Sequence, residues 1–157
     1  MELHIREATA ADIDAMHRIR LDVRENRLSD PTWLTPAVYR ACLGDTGVAN
    51  TWVAESADGV LGFCVARVPE QDIWALFVNP AHEGRGIGRA LLATATRWLF
   101  AHEVPMVTLG TTPDTRADRF YRDAGWQRGE IDAKGEVRYR LPNPSAGVTT
   151  VSESASC

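Results

Sequence analysis

The stretch from Ile73 to Leu92 constrains this chain more than any other. It opens with six apolar residues, Ile73 to Val78, and then meets Asn79-Pro80. A run that short and that apolar reads as a buried strand. Proline stops it, having no N–H to give a ladder and restricting the residue before it. Gly84, Gly86 and Gly88 then alternate with Arg85, Ile87 and Arg89 before Leu91, Leu92, Ala95 and Leu99 recur at helical spacing. Glycines at a helix start remove side chains, so free backbone N–H groups can approach an anion closely. The helix dipole and two arginines add positive potential there. The stretch therefore reads as strand, phosphate cradle, helix. A glycine-rich turn without a ligand is the plain alternative for the three glycines taken alone.

Two well-known phosphate loops do not fit. A dinucleotide fold wants G-x-G-x-x-G and an acid about 20 residues on. Here Leu91 stands where the third glycine belongs, and that acid is missing. A P-loop wants a second glycine followed by Lys and Ser or Thr, where this chain has Arg89. The run instead resembles the pyrophosphate loop of the GNAT superfamily of N-acetyltransferases, Gln/Arg-x-x-Gly-x-Gly/Ala after a strand ending in Val-x-Pro. Glu83-Gly84-Arg85-Gly86-Ile87-Gly88 matches at both glycines and departs at its first position. A second segment, Asp114 to Trp126, is similar to that family's Asn-x-x-Ala-x-x-Phe-Tyr-x-x-x-Gly-Phe. It matches at Ala117, Phe120, Tyr121 and Gly125, with Trp126 for the final aromatic and Asp114 in place of asparagine. Either motif alone is weak; two at this separation, each after a strand, reinforce one another.

The rest of the chain supplies a compatible series. A first strand falls at Leu3 to Glu7, and Thr9 offers an N-cap for a helix from Ala10 to Val23. Its apolar stripe runs through Ile13, Met16, Ile19 or Arg20, and Val23. Thr35-Pro36 opens a second helix to about Leu43, closed by Gly44 and Gly47. Strands follow at Thr51–Glu55 and Val60–Val68, joined by Ala57-Asp58-Gly59. After the glycine turn come a helix to Ala101, a strand at Met106–Gly110 and a helix capped by Asp114 or Thr115 and ended at Gly125. Trp126–Ile131 and Val137–Leu141 form a closing hairpin. This is the order of the resembled family, covering about Leu3 to Leu141. It implies an α/β (α+β) fold: one domain over residues 1–142, with about four helices flanking a mixed, mostly antiparallel sheet of about seven strands, splayed between strands 4 and 5. Residues 143–157 lose apolar content and read as a flexible tail.

Composition narrows the partners. At 157 residues, 45% hydrophobic, the chain suits one domain with a sizeable core. A formal charge of −4 argues against broad nucleic-acid binding, so a polyanion must be held by a local cluster. No apolar run approaches the roughly 18 residues of a membrane span, and no signal-peptide pattern opens the sequence. Cys42, Cys64 and Cys157 are widely separated with no C-x-x-C, which points to a reduced, cytoplasmic setting. No metal-ligand set and no Ser-His-Asp or Cys-His set appears. His82 and His102 lack a carboxylate partner at a suitable spacing.

The resemblance implies acetyl-CoA as co-substrate and a primary amine, on a small molecule or a protein, as acceptor. The pyrophosphate would sit against Glu83, Gly84, Arg85, Gly86, Ile87, Gly88 and Arg89, and the pantetheine arm against the backbone of Leu76, Phe77 and Val78. Asp114 stands at a cofactor-contacting position, and Tyr121 at the position of the general acid that protonates the departing thiolate. Arg119 and Arg122 are surface cations with a conceivable role at the adenine-side phosphate. On the residues alone Tyr121 reads as core, because Ala117, Phe120 and Ala124 share its helix face. The base that takes the amine proton stays open between Asp72 and Glu25. Trp74, Trp33 and Trp52 are candidates for an acceptor wall, with core packing expected of at least two. A carboxylate at Glu83 beside a pyrophosphate is expected to turn away or pair with a cation. A non-catalytic acyl-CoA-binding regulator on the same fold, and a homodimer, are compatible with these residues.

Overall fold

The computed structural model describes residues 2–23, 25, 28 and 30–145. Seven strands form one sheet: β1 (His4–Glu7), β2 (Ala49–Ser56), β3 (Gly59–Arg67), β4 (Asp72–Val78), β5 (Met106–Thr111), β6 (Gln127–Ile131) and β7 (Val137–Pro142). Their order is β1-β2-β3-β4-β5-β7-β6, antiparallel throughout except between β4 and β5. The α-helices delimited within the described residues are α1 (Ile13–Asp22), α2 (Pro36–Arg40), α3 (Ile87–Ala101) and α4 (Arg116–Asp123). The expected mixed, mostly antiparallel sheet with four helices is present.

Element ends follow local chemistry. The Thr9 N–H donates to the Asp12 carboxylate at 2.8 Å, opening a 3₁₀ turn that feeds α1. Pro36 sits at the first position of α2, where its missing N–H costs nothing. That helix ends at Arg40, short of the expected Leu43, because Cys42 and Leu43 bond three residues back, to Tyr39 and Arg40. Thr115 caps α4 by accepting from Asp118 N–H, and Gly125 ends it at φ 90°.

The sheet is covered on both faces. One core packs α3 and α4 on it through Leu61, Cys64, Leu91, Ala95, Leu99 and Tyr121; the other packs α1 and α2 through Met16, Tyr39, Phe63 and Val65. Central β3 is therefore an unbroken apolar run, since neither face meets water. Gly62 stands where α3 comes closest: a Cβ there would meet Leu91 and Ile87 side chains at 3.2–3.3 Å.

β4 carries the irregularity that makes a site. Val65 pairs with Ala75 and Ala66 with Ile73, so Trp74 is an extra, bulged residue. The bulge breaks alternation: Ile73, Leu76 and Val78 join the α3 core, while Trp74, Ala75 and Phe77 join the α1 core. Beyond it β4 parts from β5, with which it shares only the registered pair Asp72–Thr108. Asn79 N–H donates to Leu61 C=O at 2.7 Å. By antiparallel alternation, Phe77 then turns its backbone groups to β3, while Leu76 and Val78 turn theirs to the gap left by β5. The expected splay thus exposes a polar strand edge at two residues.

Asn143, placed in the tail by its composition, is 6% exposed and donates its amide to Phe100 and Val104 carbonyls. The expected flexible tail beyond Ser145 lies outside the described residues.

Candidate active site

Two cavities open on either side of the splay. The larger, about 630 Å³, runs from Leu76–Val78 to the glycine turn and α4, and includes Glu83, Gly84, Gly86, Ile87, Gly88 and Arg89. The smaller, about 310 Å³, lies between the bulge of β4, the end of β5 and the α1–α2 side, with Trp33, Trp74, Gly110 and Glu136 on its walls. Leu76, Phe77, Ala117 and Tyr121 line both. These four residues are the partition between the chambers.

The glycine turn is shaped for close approach. Gly84 and Gly86 have φ 78° and 80°, a region that side chains disfavour, and Gly86 is the N-cap of α3. Nothing lies within 4 Å of the point a Cβ would occupy at Gly86, so the space beside the helix start is open to a ligand. At Gly88 a Cβ would meet Phe120 and Val78 at 3.6–3.7 Å, an ordinary contact distance, so α3 starts packed against α4 and β4 without requiring glycine there. Free N–H groups at a fifteen-residue helix start, with Arg89 beside them, suit a pyrophosphate. Glu83 does not oppose this freely: its carboxylate lies 3.6 Å from Arg116 Nε. Glu25 also reaches Arg116, accepting from its backbone N–H at 3.0 Å.

Tyr121 is 6% exposed, its ring set among Phe120, Trp126 and Tyr139 at centroid distances of 5.1–5.9 Å. Among the described residues its hydroxyl makes no hydrogen bond, although it borders both cavities. Burial pushes its phenol above the ordinary value, and the neighbouring Cys64 adds to that. The group therefore holds its proton at neutral pH. Asp118, one turn earlier, anchors the helix: it is fully buried and accepts from Arg128 and from Tyr139 Oη.

The other expected residues divide. Asp72 is clamped by Arg67 at 2.6 Å and lines neither cavity. Glu25 borders only the larger one. Arg85 borders neither, and its guanidinium lies 3.3 Å from His82 Nδ1. Asp114 takes φ 63° and gives its N–H to Asp118 at 2.9 Å, while its side chain lines neither cavity. Asn and Asp both tolerate that left-handed conformation, which accounts for this departure from the motif without a ligand. Phe77 offers the cavities its ring, since its carbonyl lies against β3 near Gly62. Trp33 and Trp74 line the smaller cavity in an edge-to-face pair, whereas Trp52 is core against Trp98. Core packing thus claims one tryptophan of the three. Arg20 and Glu136, on the wall of the smaller cavity, were not among the sequence candidates. Glu136 sits in a hairpin turn that reads as solvated, and Arg20 shares a helix stripe with Ile19. Among the described residues no cluster of His, Cys, Asp and Glu could hold a metal ion, and no helix is long and apolar enough to cross a membrane.

The sheet splits after a bulge, with a glycine-capped helix and a buried tyrosine across the split. The chain belongs to the acetyltransferase (GNAT) family, whose profile matches residues 10–126. It is 33% identical over 120 residues to a mycothiol acetyltransferase of Kineococcus radiotolerans, across 74% of this chain and 35% of that protein. The chain thus spans about a third of that relative's length. Its fold is similar to the PaiA N-acetyltransferase of Thermoplasma acidophilum in complex with coenzyme A, with a TM-score of 0.78, 13% identity and coverage of 90% and 99% of the two chains. A phosphinothricin acetyltransferase of Sinorhizobium meliloti in complex with acetyl-CoA aligns with a TM-score of 0.73 at 18% identity, over 94% and 92% of the chains.

Proposed function

We propose that this protein transfers an acetyl group from acetyl-CoA to a primary amine by direct attack within a ternary complex. The observation that carries the reading is the position of Tyr121 on the wall shared by two cavities, beside the open edge of β4. The larger cavity fits the thioester substrate, with glycine-turn amides and Arg89 facing its pyrophosphate and the β4 edge its pantetheine arm. The smaller cavity fits the amine. Attack of the amine nitrogen on the thioester carbonyl makes an oxyanion, which a backbone N–H of Leu76 or Val78 at the splay is placed to stabilise. Collapse breaks the C–S bond; Tyr121 gives its proton to the leaving sulfur, and the second proton shed by the acylated nitrogen restores the phenol.

An amine of lysine type has a pKa of about 10.4 and arrives protonated, so a base must accept its proton. Of the acids among the described residues, Glu136 alone lines the smaller cavity; Asp72 is held by the Arg67 guanidinium, and Glu25 borders the larger cavity and accepts from the Arg116 backbone N–H. We assign the proton to Glu136, directly or through water. Glu136 Oε1 lies 2.9 Å from where a Cβ of Gly110 would stand, so the missing side chain on β5 makes room for it.

Release of free thiol from acetyl-CoA across an amine panel, with calorimetry of acetyl-CoA binding on the same preparation, tests the reading. Binding with amine-dependent release is expected. No binding would end it, and binding without release would leave a regulator.

A further inference from the structure

Arg20 is a half-buried cation with no carboxylate partner among the described residues. It projects from α1 to the wall of the smaller cavity, its guanidinium carbon 4.2 Å from the centre of the Phe77 ring. Its Nη1 is shielded from solvent and has no hydrogen-bond partner. No carboxylate among the described residues pairs with it, whereas Arg6, Arg67, Arg116 and Arg128 each have one. Nor does the segment after α1 offer one: between Val23 and Asp30 its single acid is Glu25, which is bonded to Arg116. Asp30 is turned onto Thr32. A guanidinium stays charged in a protein, and taking one out of water without a counter-charge is costly. The position of Arg20 over the Phe77 ring is a cation–π contact that holds the side chain at the cavity wall.

The remaining walls say what else the ligand is. Trp33, Trp74 and Phe63 are apolar, Tyr39 is neutral and bonded to His17, and Glu136 is the only acid among the described lining residues. A cavity of about 310 Å³ has room for a small molecule. Resting on the acetyl-transfer reading above, we propose that the acceptor is a small primary amine that carries a carboxylate and an apolar body, and that Arg20 binds the carboxylate. Arg20 then acts on specificity, pairing with the ligand in the bidentate manner open to a guanidinium and a carboxylate. The half-buried cation also discriminates against amines without an anion, because these leave it unpaired.

The test uses matched acceptors differing only at that group: L-phenylalanine against L-phenylalaninamide, and L-leucine against L-leucinamide. Thiol release gives kcat/KM for each with the full chain. We expect the acids to be preferred at least about tenfold. In Arg20→Met the acid-to-amide ratio should fall to near one, through KM for the acids, and Arg20→Lys should restore part of it. If Arg20→Met does not fold, 3-phenylpropionate and 3-phenylpropionamide as competitors of the wild-type protein decide the matter, the acid being the stronger competitor. Equal use of acids and amides, a ratio unchanged in Arg20→Met, or acetyl-CoA binding with no acid bound or acetylated would each overturn the proposal. Failure of acetyl-CoA itself to bind by calorimetry would instead bring down the transfer reading.

Discussion

Tyr139 on β7 gives its hydroxyl proton to the buried carboxylate of Asp118 on α4 at 2.5 Å. The bond ties the helix that carries Tyr121 to the sheet beneath it. Arg128 adds two contacts at 3.1 Å from β6, and the Asp114 N–H a fourth donor. The Arg128 guanidinium foremost, then Tyr139, hold the Asp118 carboxyl well below the usual carboxylate range.

Asp118→Asn should therefore cost about 1.5–3 kcal/mol of folding stability, the usual scale for hydrogen bonds to a charged group. The sign in pH follows from the depressed folded-state value. The contribution is fully present above the unfolded carboxyl's pKa of about 3.9, and is lost as pH falls toward the lower folded value. Melting curves of both proteins should differ by a constant amount above about pH 4 and converge below it. A gap that widened on acidification would contradict the assignment.

Glu83 presents the opposite case, a pair at the surface. Its distance to Arg116 is 3.6 Å, with both side chains about half exposed, so the contact adds little to stability. Its consequence is electrostatic: the pair neutralises a carboxylate on the wall facing the helix start. Glu83→Gln should bind acetyl-CoA with similar or modestly better affinity by calorimetry. A large loss would assign Glu83 a direct role that its pairing does not suggest.

At Gly86 two penalties coincide for any larger residue. A β-branched side chain disfavours φ 80°, and its atoms would fill the open space beside the α3 amides. Gly86→Val should lose acetyl-CoA binding beyond calorimetric detection while a thermal melt still shows a cooperative fold. Unchanged affinity would move the phosphate site elsewhere.

The glycine turn was legible in sequence as strand end, turn and helix start, because proline and glycine act locally on the backbone. Tyr121 was legible only through the whole motif around it, since its burial matches that of any core tyrosine. The β4 bulge was not, because six consecutive apolar residues show no alternation for an extra residue to interrupt. Arg20 was hidden by amphipathicity. Helical spacing let Ile19 or Arg20 face inward, and both do, Ile19 into the core and Arg20 along Phe77. Glu136 was hidden by distance, for only the β5–β7 pairing of Thr111 with Val137 brings its turn to the cavity.

That placement makes Glu136 testable as the proton acceptor. Glu136→Gln should lower kcat/KM at neutral pH by an amount within the roughly 10²–10⁴-fold range for acid–base groups. The deficit should shrink as pH rises toward the amine's own pKa, where free amine no longer needs a base. A pH-independent deficit would mark Glu136 as a wall residue rather than a base.

Tyr121→Phe tests the reaction itself. The hydroxyl has no hydrogen-bond partner among the described residues, so its removal strands no donor or acceptor and the melting temperature should hold. Its aromatic contacts with Trp126 and Tyr139 survive in phenylalanine. Acetyl-CoA affinity should hold as well, since the pyrophosphate grip lies at the glycine turn. The turnover should not. A thiol has an ordinary pKa of about 8.5 and leaves with moderate difficulty, so kcat should fall toward the lower part of the roughly 10²–10⁴-fold range. Burial keeps the phenol protonated well past neutrality, so the fall should be the same across the neutral pH range rather than confined to one limb of the profile. Steady-state rates and melts on one preparation decide between acid and core residue. A phenylalanine variant with wild-type kcat removes Tyr121 from the chemistry and leaves it a packing residue on the partition.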